Sequence, residues 1–301
     1  MIDRQYETEK HMKAMIKKLT SILLTIALLF TSFIALGTAS VEAKSPSKYT
    51  WSEKVAPNYV VSIGKAKVSN KPAAGTIKYS KLDKRGRTGR AVGNITYQMV
   101  KDSAGWRESF SEGSDPAGWG YNKMVKIKLY TGNYYSGFLY NRSHLIADSL
   151  GGRAVRKNLI TGTRMQNVGA NDGKGGMAYT ERKVVNYLYN HQNATVYYSA
   201  KPIYKGKELI PRSVIVDIKS SDGKLNERVI VYNAAKGFKI NYKTGRATKN
   251  ASGSTTVYRA KWGKKYHLDK NCYGLRNAVT IKKTTKAKAK KKGLKPCKIC
   301  A

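Results

Sequence analysis

Residues 140–152 read Tyr-Asn-Arg-Ser-His-Leu-Ile-Ala-Asp-Ser-Leu-Gly-Gly and are the most informative part of the sequence. His144 follows Arg142 by two residues, in a chain of formal net charge +39 that contains only four histidines. An imidazole beside a guanidinium group on a strongly basic protein indicates a proton-transfer group directed at a phosphodiester. The competing interpretation is a surface turn in which His144 has no chemical role. The residues that follow favour the first interpretation.

Amide and acidic side chains follow this stretch at intervals. They are Asn158, Asn167, Asn171 and Glu181, with Arg182 directly after the glutamate. In this order the chain resembles the DNA/RNA non-specific endonucleases with a ββα-metal active site, and most closely the secreted streptodornase-type and DNA-entry nucleases. The family signature is Asp-Arg-Gly-His. The sequence departs from it at Asn141 and Ser143 but keeps the arginine and the histidine. The resemblance covers residues 79–245.

The resemblance implies a role for each of these residues. His144 is the general base that takes a proton from water, and Asn167 is the ligand of a catalytic Mg²⁺ ion, with Asn171 as the alternative ligand if the register is shifted. Asn158 helps to organise the site, and Glu181 holds metal-bound water. Mg²⁺ prefers oxygen ligands and retains several waters, so a single amide oxygen is a sufficient anchor. Taken singly, each asparagine is better explained by turn formation; the ordered set with His144 favours the site.

Arginines are the expected phosphate contacts, because a guanidinium fork matches phosphate geometry. The resemblance assigns Arg142 and Arg182 to this role in the active site. Residues 79–94 contain a Leu-Asp-x-x-Gly-Arg segment that resembles the start of the family's catalytic domain. The predicted contacts to the nucleic-acid backbone are Arg87, Arg90 and Arg164. A solvated basic turn explains the Leu-Asp-x-x-Gly-Arg segment equally well.

The hydrophobic pattern predicts an α+β fold. Val125–Tyr130 alternates apolar and basic residues like a strand with one wet face, and a turn at Gly132-Asn133 leads into a second extended piece, Phe138–Tyr140. These are the two predicted β elements of the ββα core, and apolar residues at helical spacing predict its helix over Met177–Asn190. Further strands are predicted at Tyr59–Ile63, Ala194–Ile203, Ile210–Ile218 and Asn226–Asn233. The expected architecture is a ββα-metal nuclease core on an antiparallel β-sheet, followed by a small zinc-stapled module.

The amino-terminal region has the pattern of a secretory signal peptide. Three lysines precede an apolar run, Leu19–Leu36, and the small-residue pattern Val41-Glu-Ala43 follows it, so residues 1–43 are the predicted signal. An uncleaved membrane anchor is the alternative, because the run approaches the length of a spanning helix. The predicted divisions after the signal are an extension at 44–78, the nuclease domain at 79–247, a linker at 248–257 and a module at 258–301.

The carboxyl-terminal module contains every cysteine of the chain. Its candidate metal ligands are His267, Cys272, Cys297 and Cys300. This spacing is typical of a closed Cys₃His zinc site, and it resembles the zinc-binding modules appended to some secreted bacterial nucleases. A disulfide is the alternative in an exported protein, although three cysteines cannot all pair within one molecule. The lysine-rich run at 282–293 is explained equally well as a phosphate-binding surface or as a solvated segment.

The strong positive charge of the chain indicates a polyanionic partner. The chain has 57 lysines and arginines against 18 acidic residues and a pI near 10.1, so it should attract nucleic acid, although anionic cell-wall polymer or membrane would satisfy the charge equally well. We expect a secreted, Mg²⁺-dependent endonuclease without sequence or sugar specificity that cuts DNA, with Zn²⁺ as a structural ion, and we leave RNA open as a second substrate. We expect no stable membrane association after signal cleavage and leave an inhibitor protein open as a partner. The alternative is a non-catalytic extracellular protein that binds DNA or another anionic polymer.

Overall fold

A computed structural model describes residues 45–169, 173–249 and 256–301. The predicted signal peptide and the alternative ligand Asn171 lie outside the described residues. The strands are β1 (Val60–Ser62), β2 (Thr76–Tyr79), β3 (Ala91–Thr96), β4 (Met124–Lys128), β5 (Tyr134–Phe138), β6 (Tyr140–His144), β7 (Leu159–Thr163), β8 (Thr195–Ile203), β9 (Ser213–Ser220), β10 (Asn226–Tyr232), β11 (Phe238–Ile240), β12 (Ala247–Lys249), β13 (Thr256–Ala260), β14 (Lys265–Tyr266), β15 (Ile281–Thr285) and β16 (Lys295–Pro296). The α-helices are α1 (Tyr97–Asp102), α2 (Arg164–Val168), α3 (Ala178–Asn190) and α4 (Lys286–Lys291).

The largest sheet in the described chain is antiparallel, with strand order β1-β10-β9-β8-β3-β2. Helix α3 buries Thr180, Val184 and Leu188, four residues apart, so a single stripe of the helix faces the core that includes strands β8 to β10. The predicted helix and the predicted strands corresponding to β8 and β10 are confirmed. Strand β9 begins at Ser213 rather than at Ile210, because Pro211 has no N–H to contribute to a ladder.

The segment predicted as an amino-terminal extension belongs to this sheet. Strand β1 pairs with β10 through Val60 and Val231, and β2 pairs with β3 through Thr76 and Asn94. The two strands form opposite edges of the sheet. A nuclease domain that began at Tyr79 would therefore exclude β1 and all of β2 except its last residue.

The strands that carry the predicted site differ from those expected. Strands β4 and β5 form a hairpin around the predicted turn, but β5 ends at Phe138, where the predicted second strand begins, and the pair is a separate two-stranded sheet. His144 ends β6, which pairs antiparallel with β7 so that His144 lies opposite Leu159. Helix α2 follows β7 directly, and the Thr163 hydroxyl caps it by accepting a hydrogen bond from the Gln166 N–H. The two β elements of the ββα motif are therefore β6 and β7.

The carboxyl-terminal module contains two short sheets. Strand β13 pairs antiparallel with β15, and β14 pairs parallel with β16. Its small core contains Val257, Tyr266 and Ala289. Before the module, β12 pairs with β11 up to Lys249, so the nuclease region extends two residues past the predicted boundary at Ala247. Among the described residues, no helix is both long and apolar enough to cross a membrane.

Candidate active site and metal centres

His144 opens onto a cavity of about 320 Å³ at the end of β6. The residues around it come from distant parts of the chain and include Trp106, Arg107, Asp148, Asn167 and Glu181. The imidazole lies 5.8 Å, centroid to centroid, from the ring of Phe110. Residues 103–107 therefore form one side of the cavity.

Asp148 faces the imidazole across a short gap. Its Oδ1 atom lies 3.3 Å from His144 Nε2, and both side chains are largely buried. Within the described chain neither atom has a well-oriented hydrogen-bond partner. Burial holds the pKa of His144 below its ordinary value of 6.5, and the Asp148 charge opposes that shift. The imidazole is therefore mostly neutral at pH 7 and able to accept a proton.

Glu181 lies in the first turn of α3 and contributes its carboxyl group to the same cavity. Burial, followed by the nearby Asp148 charge, raises the pKa of Glu181 to about 8. Two carboxyl groups in one partly closed space disfavour each other's ionised form unless a cation neutralises them. This arrangement fits a divalent cation.

Asn167 on α2 provides an amide oxygen to the cavity. The hydroxyl of Ser143 donates to Asn167 Oδ1 at 3.2 Å, and Ser143 itself is fully buried. Ser143, one of the two residues that differ from the family signature, therefore contacts the predicted metal ligand. The oxygen atoms of Asn167, Asp148 and Glu181 are the donor type that Mg²⁺ prefers, so these residues fit that ion.

Asn158 lies behind the cavity, fully buried. Its Oδ1 accepts a hydrogen bond from the Ile146 N–H at 3.0 Å, and its Nδ2 donates to the Ile146 carbonyl at 2.8 Å and to the Arg153 carbonyl at 2.9 Å. These bonds fix the backbone directly after His144. Asn158 is absent from the described cavity wall, so any contribution to chemistry is through positioning.

Arg142 lies beside the cavity in an aromatic setting. Its Cζ atom is 4.7 Å from the Trp119 ring centroid and 5.3 Å from that of Phe110, and its Nε donates to Asp115 at 2.5 Å. Phe110 also packs near the imidazole of His144. Phe110 therefore lies near both the Arg142 guanidinium and the His144 imidazole.

The other predicted phosphate contacts lie outside the described wall of the cavity. Arg87 donates to Asp83 at 2.7 Å and to two backbone carbonyls, and Arg90 donates to Ser69 and Tyr197. Both guanidinium groups therefore support the fold. Their contact with nucleic acid stays a prediction.

Arg164 is the first residue of α2, and Arg182 lies near the start of α3. The Arg164 guanidinium lies 5.6 Å from the Tyr135 ring centroid, and burial lowers the pKa of Arg164. Arg182 is exposed at the start of α3, with its guanidinium against Gly173. Neither residue lines the cavity as described, so phosphate binding by them also stays a prediction.

Sequence reasoning missed Asp148 and Arg107. Asp148 lies within residues 140–152, four residues after His144. His144 ends β6 and Asp148 begins a 3₁₀ turn, so the two residues do not belong to one helix. Arg107 Nε lies 3.7 Å from Asp148 Oδ2, in a loop without sequence periodicity. A search for carboxylates near His144 in sequence could have found Asp148.

The four candidate zinc ligands of the module converge. Their donor atoms all lie within 4.8 Å of one another. Cys272 Sγ is 3.9 Å from Cys297 Sγ, and Cys300 Sγ is 3.7 Å from His267 Nδ1. Tetrahedral zinc with Zn–S and Zn–N distances of about 2.3 and 2.0 Å gives donor separations of about 3.5–3.8 Å.

Two of the cysteine sulfurs also accept hydrogen bonds from backbone N–H groups. The backbone N–H groups of Gly274 and Ile299 donate to the sulfurs of Cys272 and Cys297, each at 3.4 Å. The bond from Ile299 lowers the pKa of Cys297, whereas the hydrogen bond with Cys300 raises the pKa of Cys272 to about 11. All three cysteines of the chain are free thiols. The donor set therefore fits zinc better than the alternative of a disulfide.

Comparisons with known proteins agree with this geometry. The family model described as DNA/RNA non-specific endonuclease matches residues 68–222. A "Deoxyribonuclease" of Streptococcus dysgalactiae subsp. equisimilis is 37% identical in an alignment of 241 positions that covers 71% of this chain and 71% of that protein.

Two solved structures are similar as well. The structure of Sda1 nuclease with bound zinc ion has 39% identity and a TM-score of 0.65, and the match covers 66% of this chain and 100% of that one. NucA from Streptococcus agalactiae with magnesium ion bound has 20% identity and a TM-score of 0.50, over 64% of this chain and 87% of that one, and supports the fold alone. The chain belongs to the DNA/RNA non-specific endonuclease family and is a metal-dependent nuclease.

Proposed function

We propose that the protein is a secreted, Mg²⁺-dependent endonuclease that hydrolyses DNA without sequence or sugar specificity, with RNA as a second substrate. The observation that carries this proposal is the largely buried His144 in one cavity with Asn167, Asp148 and Glu181. The predicted signal peptide at residues 1–43 supports secretion. The family resemblance implies products with 5′-phosphate and 3′-hydroxyl ends.

The chemistry begins with neutral His144. Its Nε2 is buried and faces Asp148, so Nδ1 is the nitrogen that accepts the proton of the attacking water. Asp148 Oδ1, 3.3 Å from Nε2, favours the tautomer with its proton on Nε2, and its negative charge stabilises the imidazolium that forms. Arg142, held beside the ring, binds the phosphate that is attacked.

Asn167 and Glu181 are the residues that would hold the Mg²⁺ ion, and Asp148 adds negative charge nearby. When bound there, Mg²⁺ supplies charge neutralisation for the phosphate and the leaving 3′ oxygen. Ser143 fixes the Asn167 amide through its hydrogen bond to Oδ1. We assign Zn²⁺ to the module, because sulfur ligands suit zinc and oxygen ligands suit magnesium.

Digestion of supercoiled plasmid tests the proposal. The chain from residue 44 onward should nick and then degrade plasmid with Mg²⁺ and leave it intact with excess EDTA. The His144→Ala variant should be inactive in both conditions. His191→Ala is the matched control, because His191 stacks on Tyr187 at 4.2 Å and lies outside the described cavity wall.

The competing function gives a different result. A non-catalytic polyanion-binding protein would retard plasmid on the gel and leave it uncut in every lane. Cleavage by His144→Ala at the wild-type rate would contradict the assigned base while leaving the nuclease in place.

A further inference from the structure

We propose that the carboxyl-terminal module binds an unpaired nucleotide, so that it selects single-stranded nucleic acid, in a second cavity of about 310 Å³. This module cavity is lined by residues that include Ala260, Lys264, Lys265, Leu275, Lys298 and Ile299. The inference rests on nucleic acid as the proposed substrate. The proposed site selects single strands and, within the described chain, shares no lining residue with the His144 cavity.

The module cavity has the composition of a site for one base and its phosphates. Lys264, Lys265 and Lys298 place ammonium groups around it, while Leu275 and Ile299 provide apolar surface. Small-molecule sites begin at about 300 Å³, so the volume accepts one nucleotide unit and not a duplex. His267 and Cys297 also contribute to the wall, so the zinc site would hold the cavity in shape.

Two exposed aromatic residues are sequence neighbours of residues that line the module cavity. Trp262 directly precedes the lining residue Gly263 and is 85% exposed, and Tyr273 directly precedes Gly274 and is 64% exposed. Each ring already has a cation at its face, with Lys261 Nζ 5.0 Å from the Trp262 centroid and Arg276 Cζ 3.8 Å from that of Tyr273. Exposed rings beside cations are the arrangement on which unpaired bases stack.

The positive charge of the module explains its affinity for nucleic acid, and the module cavity explains its selection of single strands. Residues 256–301 contain fifteen lysines and arginines and a single acidic residue, Asp269. Such charge attracts any polyphosphate backbone and does not distinguish one strand from two. A base in a duplex is paired and stacked, so it cannot enter a cavity or stack on Trp262 without first being extruded. The cavity and rings therefore favour single strands.

Fluorescence anisotropy on the zinc-loaded chain with His144→Ala, in buffer without Mg²⁺ or chelator, tests the inference. The probes are a labelled oligothymidylate of about twelve residues, within the span of known single-strand sites, and a duplex of equal length. Trp262→Ala and Ile299→Asp should each weaken oligothymidylate binding by about 5- to 100-fold, the range expected for one lost base stack. In Trp262→Ala, which keeps every charge of the module, duplex binding should change by less than about twofold. Ile299→Asp adds one carboxylate, so its loss of oligothymidylate affinity should exceed its loss of duplex affinity.

The double change Lys290→Ala and Lys291→Ala is the matched control, because these lysines lie in α4 outside the described cavity wall. It should weaken both probes equally. Zinc content, measured for each variant, verifies that the module is intact; Trp262 is so exposed that its removal should not affect folding.

Two results would overturn the inference. One is equal affinity for both probes that neither cavity variant alters, and the other is competition by inorganic polyphosphate as effective as that by unlabelled oligothymidylate. Either would leave a surface that binds by charge alone. Plasmid cutting by the chain with an intact His144 is measured separately, so failure of the nuclease proposal is distinguishable from failure of this one.

Discussion

Replacing Asp148 tests how the imidazole is oriented. A unit-charge pair at the observed 3.3 Å would interact by about 5 kcal/mol at an effective dielectric of about 20, but desolvation reduces the net contribution of a hydrogen bond to a charged group to about 1.5–3 kcal/mol. If that contribution is realised in the transition state, Asp148→Ala should lower kcat by about 10- to 150-fold. Asp148→Asn keeps an acceptor for the Nε2–H and should lose less.

The pH profile separates orientation from general damage. The Asp148 charge raises the pKa of His144, so its removal in Asp148→Asn should lower that pKa and move the acid limb of kcat/KM to lower pH. Initial rates of plasmid nicking across pH 5 to 9 at saturating Mg²⁺ provide the measurement. Nitrogen NMR of the labelled imidazole should show the Nε2–H tautomer in the wild type and its loss in Asp148→Ala.

A matched control is Asp222→Asn, which removes a carboxylate bonded to Tyr187 and Ser220 outside the described cavity wall. It should leave the rate and the acid limb unchanged. A wild-type rate and an unmoved acid limb in Asp148→Asn and Asp148→Ala would refute the orienting role.

Three further predictions concern the two metal centres. His144→Ala should lower cleavage by about 10²- to 10⁴-fold, the usual contribution of a general base, while DNA affinity in an anisotropy titration stays within about twofold. The folded-state pKa of Glu181, about 8, exceeds its ordinary value of 4.5, so the folded protein retains a proton that the unfolded chain loses. Metal-free stability should therefore fall as pH rises between those values, and calorimetry in EDTA should show a smaller fall for Glu181→Gln. Cys297→Ser should abolish stoichiometric zinc binding and unfold the module, as measured by metal analysis and protease sensitivity; full zinc retention would contradict the ligand assignment.

Much of the fold follows from local pattern. Helix α3 and strands β8 and β10 have apolar residues at clear helical spacing or in strand-like runs bounded by turns, and the structure confirms them. Strand β7 is buried along its whole length and therefore lacks the alternation that identifies a half-exposed strand. For this reason the hairpin of β4 and β5, which does alternate, took its place in the sequence-based ββα motif.

The sequence predicted the candidate site only at residues that stand in the order typical of the family. His144, Asn167 and Glu181 stand in that order and meet at one cavity. Asp148 and Arg107 belong to no sequence period, and a 3₁₀ turn and an irregular loop bring them to the imidazole. Nothing in the sequence indicates that Arg90, predicted as a phosphate contact from its position in a basic segment, binds Ser69 and Tyr197 within the fold.

The pairing of β1 with β10 has a consequence for the order of folding. Val60 pairs with Val231, so a chain that is made from its amino end presents one edge strand long before its partner exists. Contacts of such high sequence separation form late, because the loop between them must be closed first. The hairpin of β6 and β7 needs no residue beyond Thr163, whereas the sheet beneath α3 is incomplete until Tyr232 has been made. A nascent chain therefore cannot complete the sheet that packs against α3 until most of its length is available.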